Sequence, residues 1–196
     1  MIEVEKKFRL NKNFRDKIEH EAKFLSKKIF HDVYYDTAQW IYTLQNMWLR
    51  KREQVFELKV GVQKERGLID RYNEITDPME ILKTLNLPIT LPIRRALKEN
   101  QITPFCSFQT DRSKYQLEEF TIDIDTAFFR DLTYSIAEVE LLVPSNKNIP
   151  EAEAKLIQFL EKEFIDWRVA VPGKLPYFLS QSCPQHYAAL FQAKVI

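Results

Sequence analysis

Segments in which polar and apolar residues recur with a period of two run through much of the chain, and they constrain the fold more than any other feature. Residues 2–10 begin the pattern, with Glu3 and Glu5 on one face and Ile2 and Val4 on the other. Side chains two apart on a β-strand point to the same face, so this period predicts strands. The further segments with this period are residues 27–36, 48–52, 56–60, 69–76, 104–112, 120–128 and 135–143. The sequence therefore predicts eight strands.

Helical spacing appears between and after these strands. Phe14, Ile18, Ala22 and Leu25 form one predicted apolar stripe. The other predicted helices are a stripe of Leu156, Phe159 and Leu160, and segments near 79–86, 93–100 and 185–193. No linker separates the strand-rich body from the helical part, which follows a turn at residues 143–146. We therefore expect an α+β fold in one domain covering residues 1–196.

The composition excludes several classes of protein. Lys and Arg total 29 against 28 Asp and Glu, and this balance predicts neither a nucleic-acid nor a membrane partner. Three glycines leave no glycine-rich phosphate loop. Neither a signal peptide nor a membrane span is recognisable, so Cys106 and Cys183 are expected to be reduced thiols in a cytoplasmic protein, and a monomer is the default. No spacing among the three histidines suggests zinc.

The polar strand faces carry charges of both signs. Three pairs of carboxylates share a strand face, and these are Glu3 with Glu5, Asp123 with Asp125, and Glu138 with Glu140. Such pairs repel each other unless a cation lies between them, and oxygen clusters suit Mg²⁺ or Mn²⁺. Arg50, Arg52 and Lys59 are donors for phosphate oxygens. In a closed barrel these faces become the wall of a tunnel that binds a polyanion with its metal.

A series of short motifs carries a family resemblance. The first, Glu3-Val4-Glu5-Lys6-Lys7, reads E-x-E-x-K on the first predicted strand. The others follow in order as Tyr34-Tyr35-Asp36-Thr37, Trp48-Leu49-Arg50-Lys51-Arg52-Glu53, Phe56-Glu57-Leu58-Lys59, Tyr72-Asn73-Glu74-Ile75-Thr76, Asp111-Arg112-Ser113, Ile122-Asp123-Ile124-Asp125-Thr126, Glu138-Val139-Glu140 and Gly173-Lys174-Leu175. The whole series resembles the CYTH, or triphosphate tunnel metalloenzyme, superfamily. Within it the chain is most similar to the animal-type thiamine triphosphatase branch.

The resemblance implies an eight-stranded antiparallel β-barrel that forms a triphosphate tunnel flanked by helices, with Mg²⁺ as cofactor and Mn²⁺ as an alternative. The metal ligands that it implies are Glu3, Glu5, Asp123, Glu138 and Glu140. The substrate-binding residues that it implies are Lys7, Trp48, Arg50, Arg52, Lys59, Glu74, Arg112 and Lys174. Asp125 has no matching ligand role, and a supporting carboxylate is expected there.

Tyr34 and Lys59 match the pair that assists hydrolysis in this branch. A lowered pKa at Lys59 would let it help to activate the attacking water. Trp48 shares strand parity with Arg50 and Arg52, and its indole is suited to a cation–π contact with the thiazolium of thiamine. The alternative for Trp48 is a core residue packed beneath a helix.

Hydrolysis of thiamine triphosphate to thiamine diphosphate and phosphate is the activity that the resemblance implies, with this small molecule as the partner. One alternative is hydrolysis of inorganic triphosphate or a nucleoside triphosphate by the same fold. Another is a non-catalytic polyphosphate-binding module, which has no need of the metal acids or Tyr34. An adenylyl cyclase is disfavoured because nothing in the sequence indicates an adenine pocket.

Overall fold

A closed antiparallel β-barrel forms the centre of the computed structural model, which describes residues 1–63 and 67–196. In chain order its strands are β1 (Ile2–Phe8), β2 (Lys23–Asp36), β3 (Met47–Arg52), β4 (Val55–Gly61), β5 (Asp70–Ile75), β6 (Thr103–Leu117), β7 (Phe120–Phe129) and β8 (Leu132–Val143). Around the barrel the order is β1-β5-β4-β3-β2-β6-β7-β8, and β8 closes on β1. The predicted fold class and number of strands are confirmed.

Six α-helices lie outside the barrel within the described ranges. They are α1 (Lys12–Glu21), α2 (Pro78–Thr84), α3 (Ile93–Glu99), α4 (Ile149–Lys162), α5 (Lys174–Ser182) and α6 (Pro184–Gln192). Short 3₁₀ turns occupy Thr43–Gln45 and Asn146–Asn148. None of the described helices combines the length and the apolar composition needed to cross a membrane.

The barrel wall is inverted relative to an ordinary sheet, because its apolar face points outward and is covered by helices. Val4 of β1 and Val139 of β8 pack with Phe14 of α1 and Leu156 of α4. A second apolar cluster joins α2 and α3 to the outer face of β3 and β4. The charged face of each strand is consequently left to line the interior.

The remaining helices pack against one end of the barrel. Leu175 and Leu179 of α5, and Leu190 of α6, join the cluster that contains Phe108 and Phe129, near the start of β6 and the end of β7. The sequence predicted α6 but not α5. Helix α5 is short and has a proline in its first turn, where proline is tolerated, so its helical pattern is weak.

The first helix ends before the stripe that predicted it. Helix α1 stops at Glu21 and Ala22 is its C-cap, while Leu25 belongs to β2 and is 41% exposed. Pairing between β2 and β6 explains the difference, since it extends to Lys23 opposite Gln116. Hydrogen bonding to a long neighbouring strand has overridden local helical spacing here. For the same reason β6 continues to Leu117, beyond its predicted end at residue 112.

Candidate active site

A cavity of about 260 Å³ lies inside the barrel and is lined mostly by charged side chains. Seven lining residues are acids, namely Glu3, Glu5, Glu57, Asp70, Glu74, Glu138 and Glu140. Seven are bases, namely Lys7, Arg50, Arg52, Lys59, Arg112, Lys114 and Lys174. Asp32, Asp123 and Asp125 are buried beside the arginines. The site therefore holds a modest excess of carboxylates.

Three carboxylates converge where β1 meets β8. Glu3, Glu5 and Glu140 each offer an oxygen within 4.8 Å of the others, and Glu5 lies directly opposite Glu140 in the strand register. Like charges at opposite positions destabilise a sheet. Burial, partly offset by Lys59 and assisted by Glu5, raises the pKa of Glu3 to about 7, and burial also raises the pKa of Glu140. This set of hard oxygen donors fits a divalent cation such as Mg²⁺.

Asp123 and Glu138, also predicted as metal ligands, lie outside this three-carboxylate cluster. Asp123 contacts Arg112 and lies 3.2 Å from Lys114 Nζ. Glu138 lies 3.4 Å from Arg112 Nη2 and 3.6 Å from Lys174 Nζ. Burial alone would raise the pKa of Glu138, but the neighbouring cations outweigh it and hold that pKa well below its usual value. Both residues are held by bases in this arrangement, and metal ligation by them stays a prediction.

The predicted phosphate-binding arginines are held by carboxylates on neighbouring strands. Arg52 donates to Asp32 through Nε and Nη2, each at 2.8 Å. Arg50 Nε donates to Glu57 Oε2 at 2.7 Å. Paired, planar guanidinium groups are fixed in direction, which suits them to receive phosphate oxygens.

Arg112 and Lys174 meet at one buried carboxylate, that of Asp125. Arg112 binds it bidentately, with Nε to Oδ1 at 2.7 Å and Nη2 to Oδ2 at 2.6 Å, and Lys174 Nζ contacts Oδ2. Asp125 itself does not line the cavity. It therefore occupies the supporting position expected for it, because it orients two cations that do.

The surroundings of Lys59 differ from the cationic environment that was expected for it. Its ammonium contacts Glu3 and lies 3.3 Å from Glu74 and 3.6 Å from Glu5. Burial alone would lower the pKa of Lys59, but the acids, Glu5 first among them, raise it well above its usual value. A lowered pKa at Lys59 was the wrong expectation, because its nearest neighbours are carboxylates. Lys59 is a fixed positive charge here.

Tyr34 and Trp48 both line the cavity and belong to the same apolar cluster. Tyr34 stacks on Phe108 with ring centroids 5.7 Å apart. Trp48 donates from Nε1 to Asn46 Oδ1 at 2.8 Å and is 9% exposed. Trp48 also belongs to the apolar cluster that contains Leu175. Both placements considered for this indole therefore hold in part, since it packs in a core and borders the cavity.

Several residues that line the cavity were not predicted as site residues from the sequence. Tyr72 lies beneath two ammonium groups, with Lys7 Nζ at 5.8 Å and Lys59 Nζ at 5.5 Å from its ring centroid. Asp70 accepts a 3.0 Å hydrogen bond from Lys7 Nζ. Glu57 and Lys114 also line the cavity. Strand parity was the available signal, since each lies two residues from a predicted site residue or from another of this set.

Neither cysteine lines the cavity. Burial raises the pKa of the Cys106 thiol, which opposes formation of the reactive thiolate. His186 packs against Trp40 and hydrogen-bonds Thr43. It is thus a buried structural side chain.

Comparison with known proteins identifies the family. A CYTH domain model matches residues 1–166. The chain belongs to the CYTH family. It is 27% identical over 210 residues to the thiamine-triphosphatase of Homo sapiens, covering 98% of this chain and 90% of that protein. The thiamine-triphosphatase of Macaca fascicularis matches with the same identity and coverage.

Solved structures agree with the CYTH fold. The PH1819 protein of Pyrococcus horikoshii superposes with a TM-score of 0.61 at 20% identity, covering 91% of this chain and 99% of that one. HpAC1 of Hippeastrum, whose structure is described as revealing a dominant triphosphatase activity, superposes with a TM-score of 0.59 at 17% identity, covering 92% and 95% of the two chains. These likenesses support the barrel architecture alone.

Proposed function

We propose that this CYTH protein is a divalent-metal-dependent triphosphatase that hydrolyses thiamine triphosphate to thiamine diphosphate and phosphate. The observation that best supports this proposal is that carboxylates and basic side chains line the same cavity inside the barrel. A purely basic groove would suffice to hold a polyanion, and the cluster of Glu3, Glu5 and Glu140 would only repel it. A divalent cation held by these carboxylates would make the cluster favourable, because it would offset their charge and supply positive charge for the phosphate oxygens.

The acids and bases take different parts of the substrate in this proposal. Glu3, Glu5 and Glu140 would hold the cation, with Asp123 and Glu138 as further candidates. When bound, Mg²⁺ supplies positive charge for the phosphate oxygens. Five bases then receive the remaining oxygens, and these are Lys7, Arg50, Arg52, Arg112 and Lys174. Glu74 keeps the neighbouring cations in place, because it lies between Lys59 and Arg50.

Hydrolysis requires a water aligned behind the terminal phosphorus. The Tyr34 hydroxyl is proposed to orient that water, and the Lys59 ammonium to neutralise charge on the phosphoryl oxygens. The water oxygen forms the new bond to phosphorus and passes a proton to a phosphoryl oxygen, the bond to the bridging oxygen breaks, and that oxygen leaves on thiamine diphosphate. Little covalent chemistry is demanded of the protein, since positioning and charge neutralisation dominate phosphoryl transfer.

The choice of thiamine triphosphate rests on Trp48 and on the two mammalian relatives. An indole at the border of a phosphate-binding cavity is suited to attract an aromatic cation. Inorganic triphosphate is the second candidate, because the cavity is small and predominantly charged. A non-catalytic binding module is disfavoured, because the carboxylate cluster and Tyr34 are both present in the cavity wall.

A phosphate-release assay tests the proposal. Purified protein is given thiamine triphosphate, inorganic triphosphate or ATP, each with Mg²⁺, with Mn²⁺ or with a chelator. We expect the highest kcat/KM on thiamine triphosphate and no turnover with the chelator. Faster hydrolysis of inorganic triphosphate would favour the second candidate, and tight triphosphate binding without turnover would favour the binding module.

A further inference from the structure

The apolar part of the cavity wall comes largely from the C-terminal part of the described chain. Val195 and Ile196 line the cavity together with Trp48, Leu175 and Pro176. Trp48, Leu175 and Val195 also belong to one apolar cluster, against which Ile196 packs. The cavity therefore has an apolar end that is distinct in chemistry from its charged remainder.

A helix-terminating turn directs Val195 into this position. After α6, Lys194 adopts a left-handed conformation with φ of 57°. Its N–H donates to Phe191 O at 3.0 Å, and the Val195 N–H donates to Leu190 O at 3.0 Å. This pair of hydrogen bonds is the Schellman motif, which reverses the chain and brings an apolar residue back onto the helix. Leu190 and Val195 accordingly share the same cluster.

Helix α6 is also fastened to the segment that leads into Trp48. His186 of α6 stacks on Trp40 with ring centroids 4.6 Å apart and an interplanar angle of 4°. Its Nε2 is 2.8 Å from Thr43 Oγ1, four residues before β3 begins. Burial lowers the pKa of His186 to about 4, so the ring is uncharged at neutral pH. Helix α6, which leads to Val195 and Ile196, is thus joined through His186 to the segment that leads to Trp48.

We propose that Val195 and Ile196 form, with Trp48, the surface that selects the organic part of the triphosphate substrate. This inference rests on the proposed triphosphatase function. The bases and carboxylates meet a triphosphate group that every candidate substrate shares, so they discriminate weakly among them. The apolar end contacts what differs between substrates, and loss of a few methyl or methylene groups from such a pocket changes discrimination about tenfold or more.

Ile196→Ala tests this surface directly. We expect kcat/KM for thiamine triphosphate to fall about tenfold, while kcat/KM for inorganic triphosphate stays within about twofold, as the shared phosphate contacts dictate. Phe191→Ala is the matched control, because Phe191 lies on α6 but is 66% exposed and lines no part of the cavity. It should leave both substrates unaffected. Equal losses on the two substrates, or no loss on either, would overturn the inference.

A second pair of variants tests the turn without touching the wall. Lys194→Gly and Lys194→Val both remove the lysine side chain, but only glycine accepts the left-handed conformation without strain. Lys194→Gly should keep the wild-type ratio of the two kcat/KM values. Lys194→Val should reproduce the selective loss of Ile196→Ala, with a melting temperature showing that the barrel is folded. The same ratio in both Lys194 variants would contradict a positioning role for the turn.

The two proposals fail in different ways. If the wild-type protein does not hydrolyse thiamine triphosphate but does hydrolyse ATP, the thiamine proposal fails, and the ratio is measured with ATP as the organic substrate. If Ile196→Ala then leaves the ratio of kcat/KM for ATP to kcat/KM for inorganic triphosphate unchanged, the inference about Val195 and Ile196 is overturned. If the protein hydrolyses only inorganic triphosphate, the surface formed by Trp48, Val195 and Ile196 selects no organic group, and the inference is wrong. The proposal of triphosphatase activity would still hold.

Discussion

The inner and outer faces of the barrel wall are built from alternate residues of the same strands, yet they follow opposite rules. The outer face buries Val4, Ile122 and Val139 against helices, and this packing follows ordinary hydrophobic burial. The inner face buries carboxylates against bases, as in the pair formed by Asp32 and Arg52. Buried ion pairs add little net stability, because desolvation offsets much of their attraction.

This difference suggests a division of labour. The outer face stabilises the barrel by apolar burial, whereas the inner face includes carboxylates, Glu3 and Glu140, whose ionisation costs stability. Burial raises the pKa of Glu3 and Glu140. A carboxyl whose pKa is higher in the folded than in the unfolded protein weakens the folded state at pH values above its normal range. Substitutions on the two faces should therefore separate activity from stability.

The largest effect is expected from the inner face at the carboxylate cluster. Glu140→Gln removes a charge and keeps the shape, so it should lower kcat/KM by about 10³-fold through loss of metal-dependent charge neutralisation. Its melting temperature should be unchanged or higher, since an unfavourable buried charge is gone. Phosphate release and thermal melting measure the two effects. Glu153→Gln, on α4 outside the barrel, is the control. Full activity of Glu140→Gln at low Mg²⁺ would contradict this role of the cluster.

The outer face should respond in the opposite sense. Leu156→Ala removes a fully buried side chain of α4 and should lower the free energy of unfolding by about 2–5 kcal/mol. Urea denaturation measures this loss. Because Leu156 packs on the outside of the barrel and does not line the cavity, kcat/KM per folded molecule should not change. A comparable loss of kcat/KM would mean that the two faces are coupled through the strands.

A smaller effect sharpens the comparison with two arginines. Arg52 lies on the inner face and Arg71 pairs with Glu153 of α4 on the outer face, and both side chains are 21% exposed. Arg52→Lys loses the bidentate fork and should cost about 1–3 kcal/mol of transition-state stabilisation. Arg71→Lys should leave kcat/KM unchanged. Kinetics of the two variants on the same substrate check this, and equal behaviour would remove Arg52 from the phosphate site.

Strand parity predicted much of this inner face, because alternation decides which residues share a side. It placed Glu3 with Glu5 on one strand face and Arg50 with Arg52 on another, and the family resemblance implied that these faces share one interior. It did not predict which acid meets which base. Those partners depend on the register between strands, such as Arg50 opposite Glu57, which the two-residue turn between β3 and β4 sets.

The pKa of Lys59 was predicted wrongly for the same reason. Sequence neighbours suggested a cationic environment, but β5 beside β4, and β1 beside β5, bring Glu74 and Glu3 to its ammonium. The apolar surface that Val195 and Ile196 form with Trp48 was also beyond sequence reasoning. Val195 reaches it through α5 and α6, and the sequence did not predict α5.

The smallest expected effect concerns Trp48, which belongs both to an apolar cluster and to the lining of the charged cavity. Its indole packs in an apolar cluster and also borders the charged cavity. If it contacts the thiazolium ring, Trp48→Ala should cost about 0.5–2 kcal/mol in kcat/KM for thiamine triphosphate, the range for cation–π contacts. Inorganic triphosphate has no aromatic cation, so its hydrolysis should change much less. Trp167→Ala, outside the barrel, supplies the control for loss of an indole.

The ratio between the two substrates decides the outcome, because general destabilisation lowers both rates together. A purely structural Trp48 predicts parallel losses and a lower melting temperature. In that case the charged tunnel would still account for triphosphate hydrolysis, but no aromatic contact would favour thiamine over a bare triphosphate. A selective loss, by contrast, would mean that one side chain serves as core on one side and as substrate contact on the other. Trp48 would then contribute both to apolar packing and to substrate binding.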